Sequence, residues 1–226
     1  MGNYPVNDLQ CILQSVTYTA LISLDKHDKR RGNALLQLEQ LDIEAEWVRP
    51  VEAESIDLTL LPSAFLNAPN YASHALTILN VFDKALLRNA SNFMHVEDDV
   101  IFDPQIRKFL PQIVVPNDWK FIYIGGRNCG SKQRFSSWIV KSSFVSDLHA
   151  VIMRIEMIDV MRDALLDRGI ASHYCDARLA SLHQKYPTYL CRPNLAWQSI
   201  HSNESGDGLP DSNYNEDGSV KLEQGD

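Results

Sequence analysis

The stretch "FMHVEDDVIFDP", residues 93–104, places three adjacent carboxylates between two apolar segments. The first segment is typical of a buried strand, and the apolar pattern resumes at residues 100–102. Adjacent carboxylates repel one another, and burying even one without a partner costs free energy. We therefore expect Glu97, Asp98 and Asp99 to be compensated by something outside the local sequence, and a divalent cation is the first candidate.

The acidic triplet has two interpretations. It can be a solvated turn, because acidic side chains usually lie at the surface. Against this, apolar residues flank the triplet closely, so at least one carboxylate is expected to face a crevice. Hard oxygen ligands at a strand end suit Mg²⁺ or Mn²⁺, which typically bind one or two carboxylates and complete their shell with substrate phosphates.

The composition limits the class of protein. The chain has 226 residues, 45% of them hydrophobic and 22% charged, which is ordinary for a globular protein and enough for one large domain. The net charge of -8 argues against a nucleic-acid partner, since such partners are usually held by a basic surface. We expect one domain over residues 1–202. Residues 203–226 are polar, acidic and rich in Gly, Ser and Asn, which predicts a disordered tail or linker.

The cysteines and the apolar runs bear on the cellular compartment. Cys11, Cys129, Cys175 and Cys191 are widely spaced, so they indicate neither a zinc site nor a disulfide framework. The first residues form no apolar secretory core, and no apolar run approaches the length needed to span a bilayer. We expect a cytoplasmic protein with reduced thiols and no transmembrane segment.

Strand-like and helix-like segments alternate along the chain. Short apolar runs predict strands at residues 17–24, 44–51, 93–96, 120–126, 148–153 and 188–193. Apolar residues at helical spacing predict helices near residues 30–41, 75–86, 104–110, 155–165 and 175–186. This alternation favours a three-layer α/β/α domain with a mostly parallel central sheet, in which ligands bind beyond the carboxyl ends of the strands. The polar residues 127–137 have the composition of a mobile loop.

Four segments, taken in order, resemble glycosyltransferase family 25, the lipopolysaccharide-type and collagen-type galactosyltransferases. They are "ISLDKHDKRR", "NYASHALTI", "HVEDDVIF" and "LHAVIM", and together with their connections they span about residues 18–200. The resemblance implies the nucleotide-diphospho-sugar transferase fold, known as GT-A. Two departures from the family pattern concern the sugar: Ser23 replaces the usual Asn, and Asn70-Tyr71 replace a Gly-Cys pair.

The resemblance implies a nucleotide-sugar donor site at the end of the first strand and around the acidic motif. An arginine there suits a diphosphate through charge-assisted bonds, and two consecutive glycines permit a tight turn or close approach of a ligand. Two of the residues predicted to bind the donor can instead have a purely structural role. Arg31 can be a solvated residue at the start of a helix, and Ser73 can be a helix cap. The predicted donor-binding residues are Leu24, Arg30, Arg31, Ser73, His74, Glu97, Asp98, Gly125, Gly126 and His149.

The predicted metal ligands are Asp98, Asp99 and His201, with Asp99 as the principal one. His201 near the polar tail can equally be a bystander. Asp176 is the predicted catalytic base that takes the proton from the acceptor hydroxyl, and the alternative for this residue is an N-cap of the following helix.

The sequence therefore predicts a metal-dependent glycosyltransferase, with Mn²⁺ or Mg²⁺ as cofactor. It would move a hexose from a UDP-type donor to a hydroxyl of a glycan, glycolipid or glycoprotein, with inversion of configuration. A metal-dependent phosphoesterase or nuclease is one alternative, because clustered carboxylates also organise two-metal sites. A sugar-nucleotide-binding domain without turnover is another.

Overall fold

A computed structural model of the protein describes residues 6–199. His201 and the predicted tail at 203–226 lie outside the described residues. The strands in chain order are β1 (Val6–Asp8), β2 (Tyr18–Ile22), β3 (Glu46–Val48), β4 (Asn92–Glu97), β5 (Val100–Phe102), β6 (Val114–Pro116), β7 (Phe121–Tyr123), β8 (Arg127–Asn128), β9 (Lys132–Arg134), β10 (Ile139–Ser142), β11 (Val145–Ser146), β12 (Ala150–Arg154), β13 (Thr188–Cys191) and β14 (Ala196–Gln198). The α-helices are α1 (Leu9–Gln14), α2 (Asp28–Gln40), α3 (Pro69–Leu87), α4 (Ile106–Phe109), α5 (Ile158–Leu166) and α6 (Cys175–Ala180).

The main sheet has eight strands in the order β3-β2-β4-β12-β7-β13-β10-β9. The β2–β3, β2–β4 and β7–β13 pairs are parallel, whereas β12 runs antiparallel to both of its neighbours and β10 runs antiparallel to both of its own. The expectation of an α/β fold is confirmed, but the sheet is mixed rather than mostly parallel. The apolar run at 148–153 predicts a strand where β12 is found. Whether β12 runs parallel or antiparallel to its neighbours depends on the chain connection, which the apolar pattern does not encode.

Two apolar cores lie on opposite faces of the main sheet, because successive strand side chains point to opposite sides. Ala20 and Ile22 of β2 belong to one core, which also contains buried side chains of α3, α5 and α6. Leu21 belongs to the other core, with buried side chains of α1, α2 and α4. All five residues of β2 are buried, which explains why its sequence is continuously apolar rather than alternating.

The polar segment at 127–137 is not a structureless loop. It contains β8, which pairs with β11, and β9, which pairs with β10 at one edge of the main sheet. Its side chains are polar because all three residues of β9 are exposed, while the backbone groups are satisfied by the ladders. The prediction of a mobile loop is therefore wrong for these strands.

A fully buried arginine holds the connection between α5 and α6. The guanidinium of Arg178 donates to five backbone carbonyls at 2.7–3.4 Å, those of Ala164, Leu165, Asp167, Ile170 and Ser172. It also lies 4.7 Å from the centre of the Phe65 ring. Because the last carbonyls of a helix have no partner within the helix, Arg178 caps the C-terminal end of α5 as well as the loop that follows it.

The four cysteines have free thiols, and within residues 6–199 no helix combines the length and the apolar character needed to cross a membrane.

Buried His183 makes stability depend on pH. The backbone N–H of Val145 donates to its Nδ1 at 3.1 Å, so Nε2 carries the proton and faces the Tyr123 hydroxyl at 3.4 Å. Burial lowers the pKa of His183 from 6.5 to about 3. The unfolded chain therefore takes up a proton below the ordinary pKa while the folded chain does not, so stability is lost as the pH falls from about 6.5 toward 3.

We expect His183 to cost the fold about 2 kcal/mol between pH 7 and pH 5, at roughly 1.4 kcal/mol per pH unit below the unfolded pKa. Urea unfolding at both pH values checks this in the parent chain and in His183→Gln, which cannot titrate there. The pH-dependent loss should be smaller in the variant by about that amount. An equal loss in both chains would assign the acid sensitivity to other groups.

Candidate functional site

The candidate site lies at one edge of the main sheet, where several strands end. The carboxyl ends of the parallel strands β2, β3 and β4 meet there, and the register places Ile22 opposite both Val48 and Glu97. Because β12 is antiparallel to β4 and to β7, its first residues and the end of β7 lie at the same edge. The structure thus brings together the predicted residues that follow β2, β4 and β7 and the residue that precedes β12.

Asp98 is compensated by basic side chains of the β2–α2 connection. It is 7% exposed, and its two carboxylate oxygens face different partners. Nη2 of Arg30 lies 2.6 Å from Oδ1, and Nδ1 of His27 lies 3.1 Å from Oδ2. Arg30, predicted as a donor-binding residue, therefore lies at the acidic turn and contacts its carboxylates directly.

Asp99 is less completely neutralised than Asp98. Its Oδ2 lies 3.3 Å from Nη2 of Arg30 and accepts a hydrogen bond of 2.8 Å from the side-chain amide of Gln198. Its buried Oδ1 has no hydrogen-bond partner among residues 6–199. Burial and the nearby charge of Glu97 raise the pKa of Asp99 to about 6, against the opposing effects of Gln198 and Arg30.

Glu97 points toward two histidines. Its Oε1 lies 3.2 Å from Nε2 of His74 on α3 and 3.7 Å from Nε2 of His95 on β4. Burial opposes ionisation of Glu97, but the favourable interactions with His74 and His95 outweigh it and lower the pKa of Glu97. Burial likewise opposes the charged form of His74, yet its interactions with Cys175 and Glu97, which accept from the imidazolium, hold the pKa of His74 well above 6.5.

Arg31 and Leu24 shape the connection that carries Arg30. Nη1 of Arg31 donates to the Leu24 carbonyl at 3.1 Å, and Nη2 pairs with Asp28. The same guanidinium lies 3.8 Å from the centre of the Trp47 ring. The side chain is only 14% exposed, so it is a folded part of this connection and not a freely solvated residue.

Ser73 is a buried residue of α3 with a backbone partner. Its hydroxyl donates to the carbonyl of Val51, just beyond β3. The alternative of a helix cap is wrong for Ser73, because α3 begins at Pro69 and its cap position is Ala68. The contact fixes α3 against the β3 exit and thereby positions His74, the next residue.

The two glycines after β7 are packed against the chain itself. A Cβ on Gly125 would lie 1.7 Å from the carbonyl oxygen of Ala196 in β14, and one on Gly126 would lie 2.8 Å from Val145. The close approach predicted at Gly125 therefore occurs, but the partner is backbone and not a ligand. His149 lies beside it, 3% exposed, with Nε2 facing the Ala196 carbonyl at 3.3 Å. Burial lowers the pKa of His149 below 6.5.

Asp176 lies in the first turn of α6, whose N-cap position is Tyr174. The N-cap alternative for this residue is therefore wrong. Its carboxylate accepts from the backbone N–H of Asp147 at 3.2 Å and from that of Ala177 at 2.8 Å. Cys175, the preceding residue, contacts His74, which places the start of α6 beside the histidines of the site.

Sequence reasoning missed His27, His95 and Gln198. For His95 a signal existed, because residues two apart on a strand share a face and Glu97 follows it at that spacing. His27 stands in "DKHDKRR", where the two arginines are the stronger candidates for binding a diphosphate. Gln198 carries no local signal, since only the pairing of β14 with β5 brings it to Asp99.

No protein-family model matches the chain, and no curated protein sequence is significantly similar. Many solved structures are similar in part, among them the following two. The alignment with the structure of A197 from STIV covers 77% of this chain and 81% of the A197 chain, with a TM-score of 0.45 and 11% sequence identity. A second alignment is with a glycosyltransferase involved in the glycosylation of the major capsid of PBCV-1. It covers 66% of this chain and 65% of that chain, with a TM-score of 0.37 and 8% sequence identity. At these levels no family is assigned, and the resemblance to family 25 stays a prediction.

Proposed function

We propose that this protein is a metal-dependent glycosyltransferase that moves a sugar from a nucleotide-diphosphate donor to an acceptor hydroxyl. The proposal includes the UDP-type hexose donor, Mn²⁺ or Mg²⁺, and a glycan, glycolipid or glycoprotein acceptor. The sequence motif motivates it, and the geometry at the sheet edge supports it.

One observation carries the proposal. Among the buried polar atoms beside the acidic turn and β7, Arg30 Nε, Asp99 Oδ1 and His149 Nδ1 have no hydrogen-bond partner within the described residues. Buried polar atoms are almost always paired, so each such atom needs an explanation. Donors and acceptors that converge at the carboxyl ends of parallel strands are where α/β sheets bind their ligands.

Of the two neighbouring aspartates, Asp99 fits a hard divalent cation better than Asp98 does. Both oxygens of Asp98 face basic side chains, whereas Oδ1 of Asp99 is free to accept. We therefore assign the cation to Asp99, with His201 as a further proposed ligand. Such an ion, when bound, neutralises the diphosphate and stabilises it as a leaving group.

Each protein group then has a distinct task. Arg30 contacts Asp98 and Asp99 through Nη2 alone, which leaves its buried Nε to donate to a phosphate oxygen. Asp98 holds Arg30 in that orientation. In an inverting transfer the acceptor oxygen bonds to the anomeric carbon as the bond to the diphosphate breaks, and the hydroxyl proton passes to a base. Asp176 is the proposed base, and its two backbone hydrogen bonds would fix the carboxylate.

The first test is calorimetric titration of the full chain with UDP, with and without Mn²⁺. We expect Mn²⁺ to strengthen binding, and Asp99→Asn to weaken the metal-dependent binding at least tenfold, because a neutral amide is a poor ligand for a hard cation. Asp83→Asn is the matched control, since Asp83 is 57% exposed and contacts only Arg162 among the ion pairs of residues 6–199.

Equal binding by both variants, or binding without metal dependence, would contradict the proposal. Turnover separates the alternatives. Slow hydrolysis of a UDP-sugar that is lost in Asp99→Asn supports a transferase, and binding without any turnover supports a non-catalytic domain. Release of phosphate from simple phosphoesters would favour the phosphoesterase instead.

A further inference from the structure

We propose that His74, His95 and Glu97 form a second metal site, separate from the Asp98–Asp99 turn, that binds a zinc-type transition-metal ion. The three side chains offer one ligand atom each, and these atoms all lie within 4.8 Å of one another. The proposal does not depend on the transferase activity, because it concerns a different set of ligands and a different class of ion.

The buried nitrogen of His95 is an independent observation in its favour. His95 is 1% exposed, and its Nε2 has no hydrogen-bond partner in the described part of the chain. The closest carboxylate oxygen, Oε1 of Glu97, lies 3.7 Å away, which is beyond hydrogen-bonding distance. An ordinary ion pair between His74 and Glu97 would leave this nitrogen unexplained, whereas a shared metal ion engages all three groups.

The separations match those of a coordination shell. Ligand atoms bound at about 2.1 Å in tetrahedral geometry lie roughly 3.4 Å from one another. The distances from Oε1 of Glu97 to the two imidazole nitrogens, 3.2 Å and 3.7 Å, lie on either side of that value. The rings of His74 and His95 have centroids 6.3 Å apart and are tilted by 40°, with both Nε2 atoms close to Oε1 of Glu97.

The scaffold is suited to a metal centre. Two of the ligands belong to one strand. His95 and Glu97 are two residues apart on β4, so their side chains face the same side of the sheet. The third, His74, is in α3, which is fixed to the β3 exit through the hydroxyl of Ser73. Cys175 also interacts with His74 and can orient its ring, as partners of metal-binding histidines commonly do.

The chemical types of the three ligand atoms determine which metal ions the site favours. Two imidazole nitrogens and one carboxylate oxygen suit Zn²⁺, Co²⁺ or Fe²⁺ and disfavour Mg²⁺ and Ca²⁺, which prefer oxygen ligands. Three protein ligands leave a coordination position for water or a substrate atom, as in catalytic zinc sites.

The test is titration of the full chain with Co²⁺, followed by its visible absorption, and with Zn²⁺ in competition with a chelating dye. We expect one ion per chain, no displacement by excess Mg²⁺, and at least tenfold weaker binding for His74→Ala and for Glu97→Gln. His173→Ala is the matched control, a histidine outside the triad, and should bind as the parent chain does.

Asp99→Asn separates this site from the one proposed for the hard cation. Retention of Co²⁺ binding in Asp99→Asn, with loss in His74→Ala, supports two distinct sites whether or not UDP binds. Loss of Co²⁺ binding in Asp99→Asn would overturn the separate site. Unchanged binding in both triad variants would overturn the proposal altogether. Because His74 is 29% exposed, His74→Ala is expected to fold, and circular dichroism of each variant checks this.

Discussion

Replacement of Arg178 by methionine is expected to lower the free energy of unfolding by about 3–5 kcal/mol, which is the cost of breaking a buried charged network. Methionine fills a similar volume but donates no hydrogen bonds. The carbonyls now bound by the guanidinium, including those of Ala164 and Leu165 at the end of α5, would be left without that partner. Each buried carbonyl deprived of its partner costs about 1–3 kcal/mol when it cannot reach water.

Urea unfolding at neutral pH measures this effect. Arg178→Lys should recover little of the loss, since one ammonium group cannot replace a planar fork that reaches five carbonyls. Arg162→Met is the matched control. Arg162 makes an exposed ion pair with Asp83, and such pairs contribute only about 0–1 kcal/mol. Similar stabilities for Arg178→Met and Arg162→Met would show that the loop after α5 satisfies its carbonyls in another way.

Gly125→Ala is expected to destabilise the protein by about 3 kcal/mol or more, at the upper end of the range for inserted methyl groups. The added Cβ would lie 1.7 Å from a backbone oxygen of Ala196, and backbone cannot move aside as a flexible side chain can. Relief requires β14 to shift away from the sheet edge. That shift would separate Gln198 from Asp99, so the proposed metal-dependent binding of UDP should weaken together with stability.

Gly32→Ala is the control for Gly125→Ala. Gly32 is inside α2, and a Cβ there would meet nothing within 4 Å. Alanine in a helix interior is favoured over glycine by about 0.5–1 kcal/mol, so this variant should be slightly more stable than the parent. Thermal unfolding of both variants checks the pair of expectations. A Gly125→Ala protein as stable as Gly32→Ala would mean that β14 is not held against β7 as described.

The elements that the sequence predicted well are those whose buried residues follow a regular pattern, continuous in β2 and one-sided in α3. The apolar run at 17–24 contains β2, and the helical spacing at 75–86 lies within α3, although α3 begins earlier at Pro69. Strand direction was not predictable, because the apolar pattern of β12 is the same for either orientation. The short strands β8 and β9 were missed because their side chains are exposed and their stability comes from backbone pairing.

For the candidate site, the sequence pointed to residues that the structure places at one edge of the main sheet, but not to how their charges are paired. The three adjacent carboxylates indicated a compensating positive charge, and the structure supplies part of it from Arg30, with the His27 ring as a further polar partner. The histidine partners of Glu97 depended on the packing of α3 against β4, which no local pattern specifies. Asp98 and Asp99 differ in environment although they are neighbours, because only Asp99 faces the C-terminal segment.

The pairing of β14 with β5 has a consequence for how the protein is made. The backbone N–H of Ser199 donates to the carbonyl of Asp99 at 2.8 Å, and Gln198 holds the same residue's carboxylate. The acidic turn is translated about one hundred residues before these partners. On the ribosome, therefore, a nascent chain has every strand around the turn before it has the segment that completes it, and the site matures only once residue 199 has been made.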